Sequence, residues 1–75
     1  MKPLFVSRHA LLRVSHREIS LEEIKMAIRK PDLMVLAKRG RLKVVKRYLD
    51  RDLVVIYARA RHLDIVVTAY WREKC

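Results

Sequence analysis

The hydrophobic period of this chain changes once, at Pro31, and that change limits what it can fold into. Before Pro31 the apolar residues recur at helical spacing; after it they alternate, and β-branched residues become frequent. Proline has no amide donor and disfavours a helical residue before it, so Pro31-Asp32 reads as the turn between a helical half and a strand half. In the helical half, Ala10, Leu11 and Val14 mark a first helix over residues 8–16, with Ser7 offering an N-cap. Ser20-Leu21-Glu22-Glu23 carries a capping hydroxyl and a carboxylate three residues later, the signature of a reciprocal capping box. A second helix follows it, burying Leu21, Ile24, Ala27 and Ile28 and stopping near Lys30. Leu4 to Val6, ahead of both helices, reads as a tether or a short first strand.

The strand half divides at its turns. Residues 33–37 form a first strand, and Gly40, the only glycine, frees the backbone for a hairpin into residues 42–49. Asp50-Arg51-Asp52 is the next turn, residues 53–58 are an uncharged central strand, and residues 62–71 close the set. Simple alternation in that last strand puts Leu63, Ile65, Val67, Ala69 and Trp71 on one face, and His62, Asp64, Val66, Thr68 and Tyr70 on the other. The expected fold is α+β, a single domain over residues 1–75 with two N-terminal helices packed on one face of an antiparallel sheet of about four strands. The opposite face, bearing Lys43, Arg47, Thr68 and Tyr70, should then be wet and basic.

With 75 residues and 52% hydrophobic content the chain folds, but its core is thin. Lys plus Arg number 18 against 8 Asp plus Glu, a net charge of +10, which selects an acidic partner: nucleic acid, an anionic membrane or an acidic protein. No apolar run reaches the roughly 18 residues of a membrane span and no signal-peptide stretch opens the chain, so no membrane partner and a cytoplasmic location are expected. Cys75 is the only cysteine, so there is no internal disulfide, and a metal site would need histidines and carboxylates alone. No cofactor motif, Gly-rich phosphate loop or nucleophile elbow is present. A thin core and open strand edges favour a homodimer paired through residues 33–37.

Charged residues cluster in two places. His9, Arg13 and Arg17 stand at i, i+4 and i+8, one ridge of the first helix, with His16 beside Arg13. Such a ridge can bind phosphate next to a proton-transfer group, or can simply be a solvated helix face. Between Lys38 and Arg61, nine Lys or Arg face only Asp50 and Asp52. Alternation separates Lys43 and Arg47 from Lys46, so one group or the other points toward the helices, and a core-facing lysine either snorkels out or sits at a site edge. Trp71 reads as core, whereas Tyr70, on the other face, can stack a base or donate its hydroxyl.

Ser7-Arg8-His9-Ala10, Arg13, Arg17, Ile19-Ser20, Glu23-Ile24, Pro31-Asp32, Gly40-Arg41, Lys46 and Val67-Thr68-Ala69-Tyr70 form a pattern that resembles domain-of-unknown-function family 4258, over nearly the whole chain. Glu18 departs from that pattern, which carries glycine after the Arg17 position. Such domains look like members of the RelE-like ribonuclease-toxin fold group, built as helices followed by an antiparallel sheet. The resemblance implies a small metal-independent endoribonuclease acting on single-stranded or ribosome-bound RNA, in which the substrate's own 2′-hydroxyl attacks the adjacent phosphate. His9 would then be the acid or base, with Arg13 and Lys46 stabilising the transition-state charge. Arg17, Lys43 and Arg47 would hold phosphates, and Tyr70 with Thr68 would position the scissile nucleotide or relay a proton. An acidic antitoxin is the implied protein partner. The alternatives are a non-catalytic nucleic-acid-binding module, and a basic interaction domain covered by an acidic protein.

Overall fold

The computed structural model describes residues 3–73. In it the chain runs β1 (Leu4–Val6), α1 (Arg8–His16), α2 (Leu21–Arg29), β2 (Leu33–Leu36), β3 (Leu42–Arg47), β4 (Arg51–Arg59) and β5 (Asp64–Glu73), with a single 3-10 turn at Lys38–Gly40 between β2 and β3. The α+β class stands, with two corrections. The sheet has five strands in the order β1-β5-β4-β3-β2, and β1 precedes the helices and pairs with β5 in parallel, so the sheet is mixed. Three residues are too few to display an alternation, and their partner lies some sixty residues on in the chain. Because β1 and β2 occupy opposite edges, the two helices carry the chain across the sheet from one side to the other.

Local chemistry explains both helix starts. The Ser7 hydroxyl accepts the amide of Ala10 at 3.2 Å. At α2 the box is complete: the Glu23 amide donates to the Ser20 hydroxyl at 3.1 Å and the Ser20 amide to the Glu23 carboxylate at 3.0 Å. α1 packs on β5, and α2 on β3 and β4. Ala10, Val14, Ile19, Ile24 and Ala27 from the helical layer meet Leu42, Val44, Leu53, Val55, Tyr57, Val66 and Ala69 from the sheet.

The end of α1 is a Schellman motif. The Ile19 amide donates to the Val14 carbonyl at 3.0 Å, the Glu18 amide to the Ser15 carbonyl at 3.2 Å, and Val14 and Ile19 are both buried in the core. The motif needs a left-handed residue after the cap, a conformation that favours glycine, and here Glu18 supplies it at φ 55°. Gly40 holds a similar conformation, φ 72°, next to Arg39 at φ 62°. These positions predict opposite outcomes. Glu18→Gly should gain about 0.5–1 kcal/mol by relieving a left-handed side chain, raising Tm by a few degrees. Gly40→Ala should lose about 1 kcal/mol through backbone strain alone, since a Cβ there meets nothing within 4 Å. Thermal melts of the two variants check both signs.

The strand half departs from simple alternation in two places. The β3-β4 turn falls one to two residues early: the Tyr48 amide donates to the Arg51 carbonyl at 3.0 Å, and Arg51 and Asp52 already belong to β4. In β5 the register jumps, with Ile56 opposite Thr68 but Tyr57 opposite Val66, so Val67 is an extra, bulged residue. Val66 and Asp64 therefore face the helices with Ala69 and Trp71, while Ile65 joins Thr68 and Tyr70 on the far face.

That far face is covered by neither helix. It is less basic than expected, for Val45 and Val54 form a floor there that is almost completely buried, and Leu33, Val35, Ile56, Ala58, Ile65 and Phe5 share the face by register. A row of larger neighbours, Leu33 on one side and Tyr70 on the other, flanks the two valines and shields them from water.

Candidate nucleic-acid interface

The register arranges the polar residues of the open face in three rows across β3, β4 and β5: Lys43-Ile56-Thr68, Val45-Val54-Tyr70 and Arg47-Asp52-Arg72. Opposed residues lie about 5 Å apart and successive rows about 7 Å, so the cations of the first and third rows stand on either side of Tyr70 and its valine floor. Arg72 lies one residue past the alternation over residues 63–71, so the sequence pattern does not assign it to this group, but β5 continues to Glu73 and carries it there. Asp52, the buried middle residue of the third row, accepts the Arg72 guanidinium at 3.2 Å and lies directly opposite Arg47. It holds one arginine in place and lowers the repulsion between the two.

Lys43, Arg47, Thr68 and Tyr70 are thus brought together. His9, Arg13, Arg17 and Lys46 are not among them, since all four belong to the helix side of the sheet. His9 and Arg13 are exposed on α1. Arg17 turns its guanidinium onto the Ala69 carbonyl at 2.8 Å, while its own carbonyl accepts the Trp71 indole N–H at 3.1 Å, a two-way clasp between the end of α1 and β5. Lys46 reaches the end of α2, where its ammonium donates to the Lys30 carbonyl at 3.0 Å and lies 3.9 Å from Asp32. A cation on the last carbonyls of a helix is a structural cap. Asp32 also accepts the Arg47 amide at 2.7 Å, so it fixes the start of β2 against the end of β3.

Around the clasp, Arg51 stacks 3.8 Å over the Trp71 ring, and Tyr48 meets the same ring edge-on at 5.8 Å. Burial, then the nearby Glu23 and Asp32 carboxylates, push the Tyr48 phenol above its ordinary range and keep it neutral. Among the described residues, no three His, Cys, Asp or Glu side chains gather where they could hold a metal ion, and no helix is long and apolar enough to cross a membrane. Cys75 lies outside the described residues.

The family model described as Domain of unknown function (DUF4258) matches residues 6–71, a span that runs from the last residue of β1 through the Trp71 clasp. The chain belongs to this family. The match includes the helix-end motif at Glu18 and every described open-face residue of the first two rows of the DUF4258 domain. No curated protein and no solved structure matches the chain.

Proposed function

We propose that the open sheet face receives single-stranded RNA and that the chain is a metal-independent endoribonuclease of the RelE-like type. The observation that carries this reading is the register that sets Lys43, Arg47, Arg72, Thr68 and Tyr70 on one face that neither helix covers. Cations around a half-buried aromatic are what a single strand uses: the ring stacks a base and the charges hold the flanking phosphates. The nucleophile is the substrate's 2′-hydroxyl. Its oxygen attacks the adjacent phosphorus, the 5′-oxygen of the next nucleotide leaves, and a 2′,3′-cyclic phosphate remains. Lys43, Arg47 and Arg72 offset the extra negative charge of the crowded intermediate, and the Tyr70 hydroxyl relays the proton from the attacking to the leaving oxygen. His9 stands on the other side of the sheet, so it has no place in this constellation.

The test is incubation in EDTA with a single-stranded RNA and its 2′-deoxy counterpart, beside Tyr70→Phe and His9→Ala. RNA alone should be cut, leaving cyclic phosphate ends, with at least a tenfold loss in Tyr70→Phe and none in His9→Ala. Loss in His9→Ala at an unchanged melting temperature would move the chemistry to α1, as the sequence spacing first indicated. A second reading, a non-catalytic binding module, is favoured by two features: no histidine lies among the described open-face residues, and Asp52 there is tied to Arg72. Binding of RNA and DNA alike, without cleavage of either, selects it.

A further inference from the structure

We propose that the outer edge of β2 is a docking site for an extended, acidic segment of a partner protein, which adds to the sheet as a sixth strand. Among the described residues β2 pairs only with β3, and it is exposed on both faces: Leu33 44%, Met34 47%, Val35 46% and Leu36 79%. Four consecutive apolar residues on an uncovered edge are what soluble chains normally avoid, by charge, proline or a covering element. Here neither helix covers them: α2 packs on β3 and β4, and the Met34 and Leu36 side chains, on the helix face by register, stay exposed.

The ladder sets which backbone groups an added strand would find. The Ala37 amide donates to the Arg41 carbonyl at 2.7 Å, so by the two-residue alternation of an antiparallel ladder Val35 bonds inward, and Met34 and Leu36 turn their amides and carbonyls to the edge. An incoming strand would bond to these, and apolar residues at every second position would pack beside Met34 and Leu36.

Charge decides the occupant. From Arg29 to Arg47, the stretch that holds β2 and both its flanks, eight Lys or Arg stand against Asp32 alone. Asp32 is already engaged by the Arg47 amide and Lys46. A second copy pairing edge to edge would bring two such cationic stretches together, whereas a strand alternating apolar and acidic residues meets opposite charge along its length. The outward-facing backbone groups of Met34 and Leu36 lie off the RNA-receiving rows of β3 to β5, which β2 meets at Lys43 opposite Val35 and at Val45 opposite Leu33.

The probe is a labelled ten-residue peptide alternating Val and Glu, with two controls: the same peptide with Lys for Glu, and one with Pro at alternate positions. Binding to the full chain is followed by fluorescence anisotropy and by amide exchange. The Val-Glu peptide is expected to bind at least tenfold tighter than either control and to protect the Met34 and Leu36 amides. Met34→Pro, which removes an outward-facing amide and leaves the β3 ladder intact, should abolish binding; Met34→Glu, which removes the apolar contact and repels the peptide's carboxylates, should weaken it at least tenfold at an unchanged melting temperature should the proline variant not fold. Equal binding of the Lys peptide, protection confined to β3 to β5, or a concentration-dependent dimer of the free chain lost in Met34→Lys would each overturn the proposal. The RNA-cleavage test involves none of these residues, so the two readings fail separately.

Discussion

Trp71→Ala is expected to cost about 3 kcal/mol, the lower end for deleting a buried tryptophan, while Tyr70→Ala, one residue earlier, leaves the fold standing. The difference follows from which face each side chain takes. Trp71 donates its indole N–H to the Arg17 carbonyl, carries Arg51 on its ring face and Tyr48 on its edge, and packs against the core. A domain of this size holds roughly 4–11 kcal/mol in total, so the loss lowers Tm by about 12–24 °C. Arg17→Ala should reproduce part of it, about 1–2 kcal/mol, because it opens the other half of the clasp, the bond to the Ala69 carbonyl. The two losses should be less than additive, since either variant leaves the clasp incomplete. Tyr70→Ala should move Tm by only a few degrees and weaken single-stranded RNA binding about 10- to 100-fold, the worth of one stacked base. Thermal melts of the wild type, the three single variants and the Trp71→Ala/Arg17→Ala double variant, with a binding titration of Tyr70→Ala, read these effects, and a Tyr70→Ala chain that melts like Trp71→Ala would place Tyr70 in the core.

Much of this fold was legible because it is decided within a few residues. Ser7, the Ser20-Glu23 box and Pro31 act on their own neighbours, and each did what its chemistry dictates. What escaped depends on distant partners. β1 exists only because Val66 and its neighbours accept it in parallel, and nothing within Leu4-Phe5-Val6 announces that. Val66 and Val67 are equally branched and apolar, so the choice of which one bulges is made by β4 across the ladder. For the site, alternation correctly separated Lys46 from Lys43 and Arg47 but left open which group turns to the helices. Lys30 and Asp32, at the end of α2, settle it by giving Lys46 an acceptor and a counter-charge. Arg17 misled for a related reason: helical spacing aligns it with His9 and Arg13, yet as the C-cap residue it sits where the chain turns, and its guanidinium meets β5. Alternation along a strand carried Lys43 and Arg47, and Thr68 and Tyr70, to a shared face, whereas the helix-borne cations depended on contacts that the spacing does not encode.

Removing the two open-face cations of β3 should have the largest effect on binding. Lys43→Ala with Arg47→Ala deletes the charge of the first and third rows on that strand, at positions about 13 Å apart and on either side of the Val45-Val54-Tyr70 row. A phosphate contact of an exposed cation is worth about 1.4 kcal/mol, or tenfold, so the pair should weaken RNA binding about 100-fold at low salt. The same contacts fix the salt response. Each phosphate released from a single strand lowers the slope of log affinity against log salt by about 0.7, so the double variant should be shallower by about 1.4. Stability should change little, because both side chains lie on the uncovered face. Arg47→Ala keeps the backbone amide that donates to Asp32, so the anchor at the start of β2 survives. Arg72 remains paired to Asp52 in the variant, and with Arg47 gone that pair is close to neutral, so little charge is left in the third row to compensate. A double variant that keeps the full salt slope would mean that RNA does not lie on this face, and would return the binding role to the exposed ridge of His9 and Arg13 on α1.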